Sequence, residues 1–460
     1  MILSCALASV FAFGGSFQSD VPRWVQWSKY IAPGIVYRQE IDRATPRVIH
    51  VLRFKYPSPG TSLKTAIARD VVFETTGKSK ETISSIARRK NAIAAINSGF
   101  FFQNGDPVGL LMSDFEIISE AYPNRSVAVW PRPGVTFDRP EFKGFLKSPN
   151  GIELKIDGVN RVARAGEIIL FTERGNRAKT PTGAICLVFS TERRALPNKT
   201  IEIKFWQSVP YQEDMLVPRA RLLLVVEKSR VQEISPLLQM GDKWKLRLQL
   251  SGKTNWAKVG EGVGGGPRLV TNGKVDVQAQ QEAFKPDFTM NRHPRTAIGT
   301  TAKGECVWAV VDGRQSVSAG ATLQEMAQIM IRLGCKEAIN LDGGGSSTFF
   351  LLGNVMNRPS DGSERPVSDA VLLSSSGVPK SDRPFRIELG SQRPASGRTV
   401  RLVAKFSDGH PVPQNEVVWH SSGSAGWVDQ GGYLRCLGNG TVRVTAWRHS
   451  KLVSRDIEIR

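Results

Sequence analysis

A run of three glycines, Gly343 to Gly345, breaks an apolar stretch directly after Asp342 and constrains the fold more than any other feature. A carboxylate at the end of a buried strand, followed by residues that can adopt positive φ, lets a ligand approach the backbone. The amides of Gly343, Gly344, Gly345 and Ser346 could face an anion, because successive unpaired N–H groups in such turns form concave anion sites. A plain glycine-rich turn is the alternative interpretation.

The residues before this run predict a β-α-β unit. An apolar strand over residues 306–311 ends at Asp312, and apolar residues recur at helical spacing over residues 323–333. The helix has the expected start and end signals, Thr322, Glu325 and Gly334. A right-handed crossover makes the two strands parallel, so Asp312 and Asp342 are expected at the same carboxyl edge, where open α/β sheets bind ligands.

Further motifs occur in a fixed order along the chain. They are Asn97-Ser98-Gly99-Phe100-Phe101, Gly265-Gly266-Pro267, Arg295-Thr296-Ala297-Ile298-Gly299, Asp312-Gly313-Arg314, Asn340 to Thr348, Asn357 to Gly362 and Arg365-Pro366-Val367-Ser368. Together these motifs resemble the phosphodiester glycosidase family, and the resemblance covers roughly residues 45–375. Ser98 departs from it, because the family usually has a second glycine there.

The resemblance implies a fold and a reaction. The fold is an α+β, mixed-sheet domain with a βαβ core and a β-rich portion. The short apolar runs between residues 125 and 260 also indicate the β-rich portion. The reaction separates a sugar from a phosphodiester at the anomeric carbon, with Asp312 and Asp342 as the catalytic carboxylates. The residues expected to bind the substrate are Asn97, Arg295, Arg314, Asn340, Gly343, Gly344, Gly345, Ser346, Ser347 and Arg365. Which carboxylate is the nucleophile and which the base stays open.

Two other classes of function stay open at this point. A metal-dependent phosphodiesterase would use Asp312 and Asp342 as ligands of a divalent cation and would cut P–O. A non-catalytic binder of an anionic cell-wall polymer would need the glycines and arginines but neither aspartate. No cofactor is firmly expected. His293, beside Arg295, is interpreted as a loop residue, because a lone histidine before proline is typical of a loop.

The net charge of the chain indicates which kinds of partner to expect. The 460 residues carry 62 Lys and Arg against 42 Asp and Glu, a net charge of +20, which favours anionic partners. The basic residues are spread along the chain and form no nucleic-acid-binding signature, so the expected partner is a phosphodiester-linked sugar or an anionic glycan. The sequence leaves the oligomeric state open.

The apolar start of the chain resembles a secretory signal. Residues 1–20 contain an uncharged apolar segment that ends in small residues, although a basic first region is missing. A secreted or cell-envelope location is therefore expected, without an integral membrane segment. Cys306 and Cys335 begin the two strands of the β-α-β unit, so a disulfide is one possibility, but two buried free thiols are favoured.

The composition changes near residue 375. A linker rich in Ser, Gly and Pro precedes short apolar runs over residues 380–460, which predict a small all-β sandwich. This segment resembles a bacterial group 2 immunoglobulin-like domain through Asp408-Gly409, Pro411-Val412, Trp419 and Gly438 to Thr441. It contains no catalytic motif, so we expect a spacer or adhesion module with few contacts to the domain at residues 45–375.

Overall fold

A computed structural model describes residues 24–74, 79–131, 134–210, 212–381 and 383–460. The expected signal segment, residues 1–20, lies outside the described residues. Strands make up 48% and helices 10% of the structure. The protein is therefore more strongly β than the α+β class expected from the sequence, since its helices are short and few of its strands are joined by one.

Four helices and thirty-seven strands are described. The helices are α1 (Ile83–Arg89), α2 (Val231–Ile234), α3 (Pro286–Met290) and α4 (Leu323–Arg332). The first strands are β1 (Trp24–Ala32), β2 (Ile35–Asp42), β3 (Arg47–Lys55), β4 (Thr61–Ile67), β5 (Ala94–Asn97), β6 (Phe100–Phe101), β7 (Pro107–Val108), β8 (Leu111–Ser113), β9 (Glu116–Ser119), β10 (Val127–Pro131), β11 (Thr136–Asp138), β12 (Glu141–Lys147) and β13 (Glu153–Ile156). They are followed by β14 (Gly158–Val159), β15 (Ile168–Phe171), β16 (Arg177–Lys179), β17 (Ile185–Ser190), β18 (Thr200–Val209), β19 (Asp214–Leu216), β20 (Arg221–Val226), β21 (Lys243–Ser251), β22 (Val259–Gly264), β23 (Arg268–Thr271), β24 (Lys274–Val275), β25 (Arg295–Thr301) and β26 (Glu305–Val311). The last are β27 (Cys335–Asn340), β28 (Phe349–Leu351), β29 (Asn354–Val355), β30 (Asp369–Ser375), β31 (Phe385–Leu389), β32 (Thr399–Phe406), β33 (Val418–Ser422), β34 (Gly426–Val428), β35 (Tyr433–Cys436), β36 (Gly440–Arg448) and β37 (Lys451–Ile459).

The sheet that carries the predicted motifs has the order β1-β2-β3-β26-β25-β27-β23-β24. Its neighbouring strands pair antiparallel. Strands β26 and β27 both pair with β25, so they are parallel to each other but not adjacent. The crossover through α4 thus brings Asp312 and Asp342 to the same edge, as expected, but a whole strand separates them. The predicted capping box of Thr322 and Glu325 begins α4.

A second sheet packs on this one. Its order is β29-β28-β5-β30-β4, again antiparallel. Ile96, Phe349 and Val371 from its strands share one buried cluster with Trp308 and Ile339 from the first sheet. Because β5 and β30 are neighbours in the second sheet, the chain near residue 98 and the chain near residue 369 meet at the edge where β27 also ends.

The predicted β-rich portion is confirmed. Strands between residues 127 and 264 build the whole of a sheet of order β13-β12-β21-β18-β17-β20-β15-β14 and part of another, β11-β10-β22-β8-β9. Their apolar side chains form a separate buried cluster that includes Phe189, Trp244 and Leu246. A parallel pairing occurs here, between β14 and β15, rather than in the sheet that carries the predicted site.

The C-terminal residues form two small sheets, β31-β32-β35-β34 and β33-β36-β37, around their own buried cluster. Contrary to the expectation of few contacts, they also pack on the rest of the chain. Val418 and Trp447 belong to the main buried cluster, and Trp427 packs with residues of β2 and β3. The Gln430 amide donates to Gln39 Oε1 at 2.8 Å, and Lys29 Nζ donates to the Gln414 carbonyl at 2.6 Å.

Two further findings concern predictions from the sequence. Cys186, Cys306, Cys335 and Cys436 are buried free thiols, so no disulfide joins Cys306 to Cys335. Burial raises the pKa of the Cys335 thiol to about 12, which makes it unreactive. Within the described residues, no helix combines the length and apolarity that crossing a bilayer requires.

Candidate active site

The chain leaves the first sheet at Asp342, and its backbone is fixed there from two sides. The Leu341 amide donates to the Thr296 carbonyl at 2.8 Å, and the Asp342 amide donates to the Ser98 carbonyl at 2.9 Å. Asn97 Nδ2 donates to the Asp342 carbonyl at 2.7 Å. Asp342 is therefore held between the ends of strands from both sheets, and its side chain is partly exposed.

The carboxyl group of Asp342 has a strongly altered acidity. Burial raises its pKa to about 6, and the neighbouring charge of Asp369 acts in the same direction. The Ser346 hydroxyl, the Gly343 amide and the Arg365 guanidinium act against this rise. The Gly343 amide donates to Asp342 Oδ1 at 2.8 Å. A carboxyl group with a pKa near 6 can hold or release a proton at neutral pH, as catalytic acids and bases must.

Asp369, the second carboxylate, was not among the residues predicted from the sequence. It is buried at the start of β30, where the Gly99 amide donates to its Oδ1 at 3.0 Å and the Ser368 hydroxyl donates to its Oδ2. Burial raises its pKa. The signal that could have found it is its position: it directly follows the motif at residues 365–368 and opens an otherwise apolar strand, where an acid is costly unless it is used.

Asp312, by contrast, lies in a buried cluster of its own. The Arg358 amide donates to Asp312 Oδ1 at 3.0 Å, and Asp312 Oδ2 lies 3.6 Å from His50 Nε2. His50 Nδ1 in turn bonds the Tyr37 hydroxyl at 2.8 Å. Asp312 is 1% exposed. The carboxylate whose charge acts on Asp342 is therefore Asp369, so the structure does not pair the two predicted catalytic residues.

Arg314 lies beside the glycine turn. Its Nη2 is 3.1 Å from His293 Nδ1, and a side chain at Gly344 would place a Cβ 3.3 Å from the same Nη2. Burial, Arg295 and Arg314 together lower the pKa of His293. The imidazole is thus kept neutral and can accept a hydrogen bond from the exposed guanidinium of Arg314. His293 therefore lies beside Arg314 at the glycine turn, in the segment between α3 and β25.

Arg365 lies on the other side of the same turn. Its Nε and Nη2 donate to Asp361 Oδ2 at 3.0 and 2.6 Å. A Cβ on Gly345 would collide with both Arg365 Nη2 and Asp361 Oδ2. A side chain at position 345 would therefore displace this ion pair from the turn.

Arg295, which the sequence predicted to bind the substrate, donates hydrogen bonds from two of its guanidinium nitrogens to backbone carbonyls. Its Nε donates to the Ala321 carbonyl at 2.9 Å, and its Nη2 donates to the Phe288 and Asn291 carbonyls at 2.6 and 3.0 Å. The side chain is fully buried, and Nη1 has no partner among the described residues. Burial, followed by the charge of Arg314, lowers its pKa to about 10. Arg295 therefore anchors α3 and adds positive charge beneath the site.

The two predicted asparagines are also occupied by the protein. Asn97 Oδ1 accepts from the Thr296 hydroxyl at 2.7 Å and from the Thr348 amide at 3.1 Å. Asn340 Nδ2 donates to the Gly266 carbonyl at 3.0 Å. Both side chains are buried. Both asparagines therefore hold the loops around Asp342 in place. Their contact with a sugar stays a prediction.

Four amides of the glycine turn, which the sequence suggested as an anion site, already donate to acceptors within the protein. Besides the Gly343 amide, which is bound to Asp342, the Gly344 amide donates to the Pro294 carbonyl at 2.9 Å. The amides of Ser346 and Ser347 donate to carbonyls within the turn at 3.2 Å each, and Ser347 is buried. Because these amides already have acceptors, the guanidinium groups are the better candidates for holding an anion.

The structure also bears on a metal ion as the binding partner of Asp312 and Asp342. In the described part of the chain, no three His, Cys, Asp or Glu side chains come together as a group that could hold a metal ion. Asp312 and Asp342, the two ligands suggested from the sequence, each have separate protein partners.

The fold is shared with bacterial proteins of known structure. A hypothetical protein from Synechocystis matches with a TM-score of 0.64 and 24% identity, over 77% of this chain and 64% of that one. A putative exported protein from Burkholderia pseudomallei matches with a TM-score of 0.60 and 22% identity, over 71% of this chain and 74% of that one. At these identities the likeness establishes the fold alone.

The sequence match is more specific. Residues 207–374 match the model of the phosphodiester glycosidase family. Over 102 residues the chain is 48% identical to human and 38% identical to bovine N-acetylglucosamine-1-phosphodiester alpha-N-acetylglucosaminidase. Over 99 residues it is 39% identical to an uncharacterised SPbeta prophage-derived protein of Bacillus subtilis.

These matches cover a limited part of each protein. The aligned stretches amount to 20–22% of this chain and to 15–20% of the lengths of those relatives. Within this chain, the match at residues 207–374 contains Asp312, Asp342 and Asp369. Asn97, Ser98 and Gly99, which complete the site from the second sheet, lie outside it.

Proposed function

We propose that this protein hydrolyses a sugar 1-phosphodiester by breaking the bond between the anomeric carbon and the phosphate oxygen. The observation that carries the proposal is the carboxylate pair of Asp342 and Asp369, placed beside Arg314 and Arg365 in a region that matches phosphodiester glycosidases. The names of the mammalian relatives make N-acetylglucosamine the first sugar to test.

Asp342 is proposed as the carboxylate that contacts the substrate. It is the partly exposed member of the pair, whereas Asp369 is buried and acts on the charge of Asp342. As the bond breaks, positive charge develops at the anomeric carbon, and a fixed carboxylate stabilises that charge or forms a bond to the carbon. A phosphodiester is a good leaving group, so a strong general acid matters less than in an ordinary glycosidase.

The guanidinium groups are proposed to hold the phosphate. Arg314 is exposed and its observed partner is a neutral imidazole, so it can bind an oxyanion without breaking an ion pair. Arg365 would first have to exchange Asp361 for the phosphate. Arg295 contributes charge from beneath without a direct contact.

The location and the natural substrate are part of the proposal. We propose a secreted or cell-envelope enzyme that acts on an envelope glycan or exopolysaccharide, in which the C-terminal residues form an immunoglobulin-like module. The net charge of +20 supports attraction to an anionic polymer, and this attraction weakens as salt screens it.

The experiment that tests the reaction is hydrolysis of N-acetylglucosamine 1-(methyl phosphate) in ¹⁸O-labelled water. Label in the released sugar means C–O cleavage and supports the proposal. Label in the phosphate means P–O cleavage, which would make the protein a phosphodiesterase instead. Binding of the diester without any turnover, at several pH values and with added divalent cations, would make it a non-catalytic binder.

A further inference from the structure

A cleft beside the candidate site is open to solvent and lined by aromatic rings. It has a volume of about 450 Å³, in the range of small-ligand pockets, and lies between the β6–β7 hairpin and residues 120–124. Phe102 is 51% exposed and Tyr122 is 43% exposed. Single exposed apolar side chains are common on protein surfaces, whereas several exposed together mark a binding surface. Two large aromatic side chains are exposed in this one cleft, so we interpret it as a binding surface.

The polar part of the cleft is held in place by an ion-pair network. Arg161 Nε donates to Glu120 Oε1 at 2.5 Å, and Arg161 Nη1 donates to Glu167 Oε2 at 2.6 Å. The charged side chains of the lining are four acids and three bases: Glu120, Glu141, Asp157, Glu167, Lys155, Arg161 and Arg164. The cleft is therefore nearly neutral in a protein of net charge +20, which suits an uncharged ligand rich in hydroxyl groups better than an anionic polymer.

A row of stacked side chains connects one wall of the cleft to Arg295. The Arg125 guanidinium stacks over Tyr122 at 5.3 Å and over Phe284 at 3.7 Å. Phe284 stacks with Phe288 at 5.1 Å, and Phe288 lies under the Arg295 guanidinium at 4.8 Å. This row of stacked groups runs from the wall of the cleft to the arginine beneath the site.

The hairpin gives a second connection. It begins one residue after Gly99, whose amide holds Asp369, and it carries Phe102 at its turn. Phe102 and the carboxylate pair are therefore fixed by the same short segment of chain, so a ligand that reaches from one to the other meets a preorganised surface.

We propose that this cleft is a carbohydrate subsite that binds the uncharged sugar units attached to the phosphodiester. Aromatic rings stack on the C–H faces of sugars, and the fixed carboxylates and guanidinium groups bind hydroxyl groups. The inference rests on the proposed function, because it extends the substrate from a small diester to a diester that carries a neutral oligosaccharide.

The test compares two diesters of N-acetylglucosamine 1-phosphate, one with a methyl group and one with a neutral tetrasaccharide as the second ester. The measured quantity is the ratio of kcat/KM for the long diester to kcat/KM for the short one. The combined Phe102→Ala and Tyr122→Ala variant should lower this ratio by about tenfold, the loss expected for two stacking contacts. Trp206→Ala, which removes another ring that is 50% exposed but lies outside the cleft, should leave the ratio at the wild-type value. An unchanged ratio in the double variant would overturn the proposal.

Binding separates failure of the subsite from failure of the proposed function. The free tetrasaccharide is titrated into the wild-type protein and the double variant, with calorimetry as the readout. If neither diester is hydrolysed but the tetrasaccharide binds and the double variant loses that binding, the proposed reaction is wrong and the subsite stands. If the diesters are hydrolysed but the tetrasaccharide does not bind to the wild-type protein, the subsite is wrong and the reaction stands.

Discussion

Asp342 and Asp369 lie on either side of the backbone of Ser98 and Gly99. The amide of Asp342 bonds the Ser98 carbonyl, and the carboxylate of Asp369 accepts from the Gly99 amide. Burial disfavours the ionisation of both carboxylates, and at Asp342 the charge of Asp369 adds to this effect. The result is one buried acid and one partly exposed acid whose pKa is about 6.

Asp342→Asn should lower kcat/KM on a sugar 1-phosphodiester by at least about a hundredfold, because it removes charge from a preorganised site without changing its volume. The measurement is steady-state hydrolysis of the methyl diester. Asp287→Asn makes the same change at an exposed position in α3 and should keep wild-type activity. Near-normal turnover by a folded Asp342→Asn protein would contradict the assignment.

The same variant should be more stable than the wild-type protein at neutral pH. The folded state raises the pKa of Asp342 from 3.8 to about 6, so the folded protein binds the proton more tightly and loses stability as the pH rises through this window. At about 1.4 kcal/mol per unit, the full penalty above pH 6 is up to about 3 kcal/mol. Urea unfolding should give the variant a larger free energy of unfolding than the wild-type protein at pH 7.5. This difference should shrink towards pH 4. A variant that is less stable than the wild-type protein at every pH would show that ionised Asp342 does not destabilise the folded state.

Arg365 and Asp361 should shift the acidity of Asp342 in opposite directions. The Arg365 charge lowers the pKa of Asp342, so Arg365→Gln should raise it further. Asp361→Asn removes the partner that neutralises Arg365 and should lower it. Each change should shift the pKa of Asp342 by about half a unit, because solvent partly screens these charges. The shift is measured in the acid limb of the profile of kcat/KM against pH. Shifts of the same sign in both variants would show that the pair acts through structure alone.

Arg295→Lys should destabilise the fold rather than affect only phosphate binding. A lysine cannot reach the carbonyls of Ala321, Phe288 and Asn291 together, so buried acceptors lose their donors at a cost of about 2–4 kcal/mol. Arg292→Lys, at an exposed neighbouring position, should change the free energy of unfolding by less than about 0.5 kcal/mol. If Arg295→Lys unfolds like the wild-type protein but binds the diester poorly, Arg295 is a phosphate ligand after all.

Truncation after Ser376 should leave a less stable protein, although the sequence favoured a separable module. Removing Val418 and Trp447 uncovers apolar surface of the main buried cluster. Trp447→Ala in the full chain tests the same contact with less disruption and should cost about 3 kcal/mol, whereas Trp447→Phe should recover part of it. A truncated protein with the wild-type melting temperature and full activity on the methyl diester would show that the docking contributes nothing.

Local patterns in the sequence determined much of this protein. The capping residues and apolar spacing of α4, the short strands between residues 127 and 264, and the turn after Asp342 all depend on neighbouring residues and were predicted correctly. The crossover rule also placed Asp312 and Asp342 at one edge of a sheet. These features follow from local conformational preference and from handedness, which a single sequence carries.

The tertiary structure alone decided which groups meet. It inserted β25 between β26 and β27, buried Asp312 beside His50, and brought Asp369 to Asp342 through the neighbouring strands β5 and β30. It also committed Arg295 to backbone carbonyls and packed the C-terminal residues on the main cluster. Periodicity specifies which face of a strand is buried but not which strand lies next to it, because pairing between distant strands is chosen by the packing of the whole core.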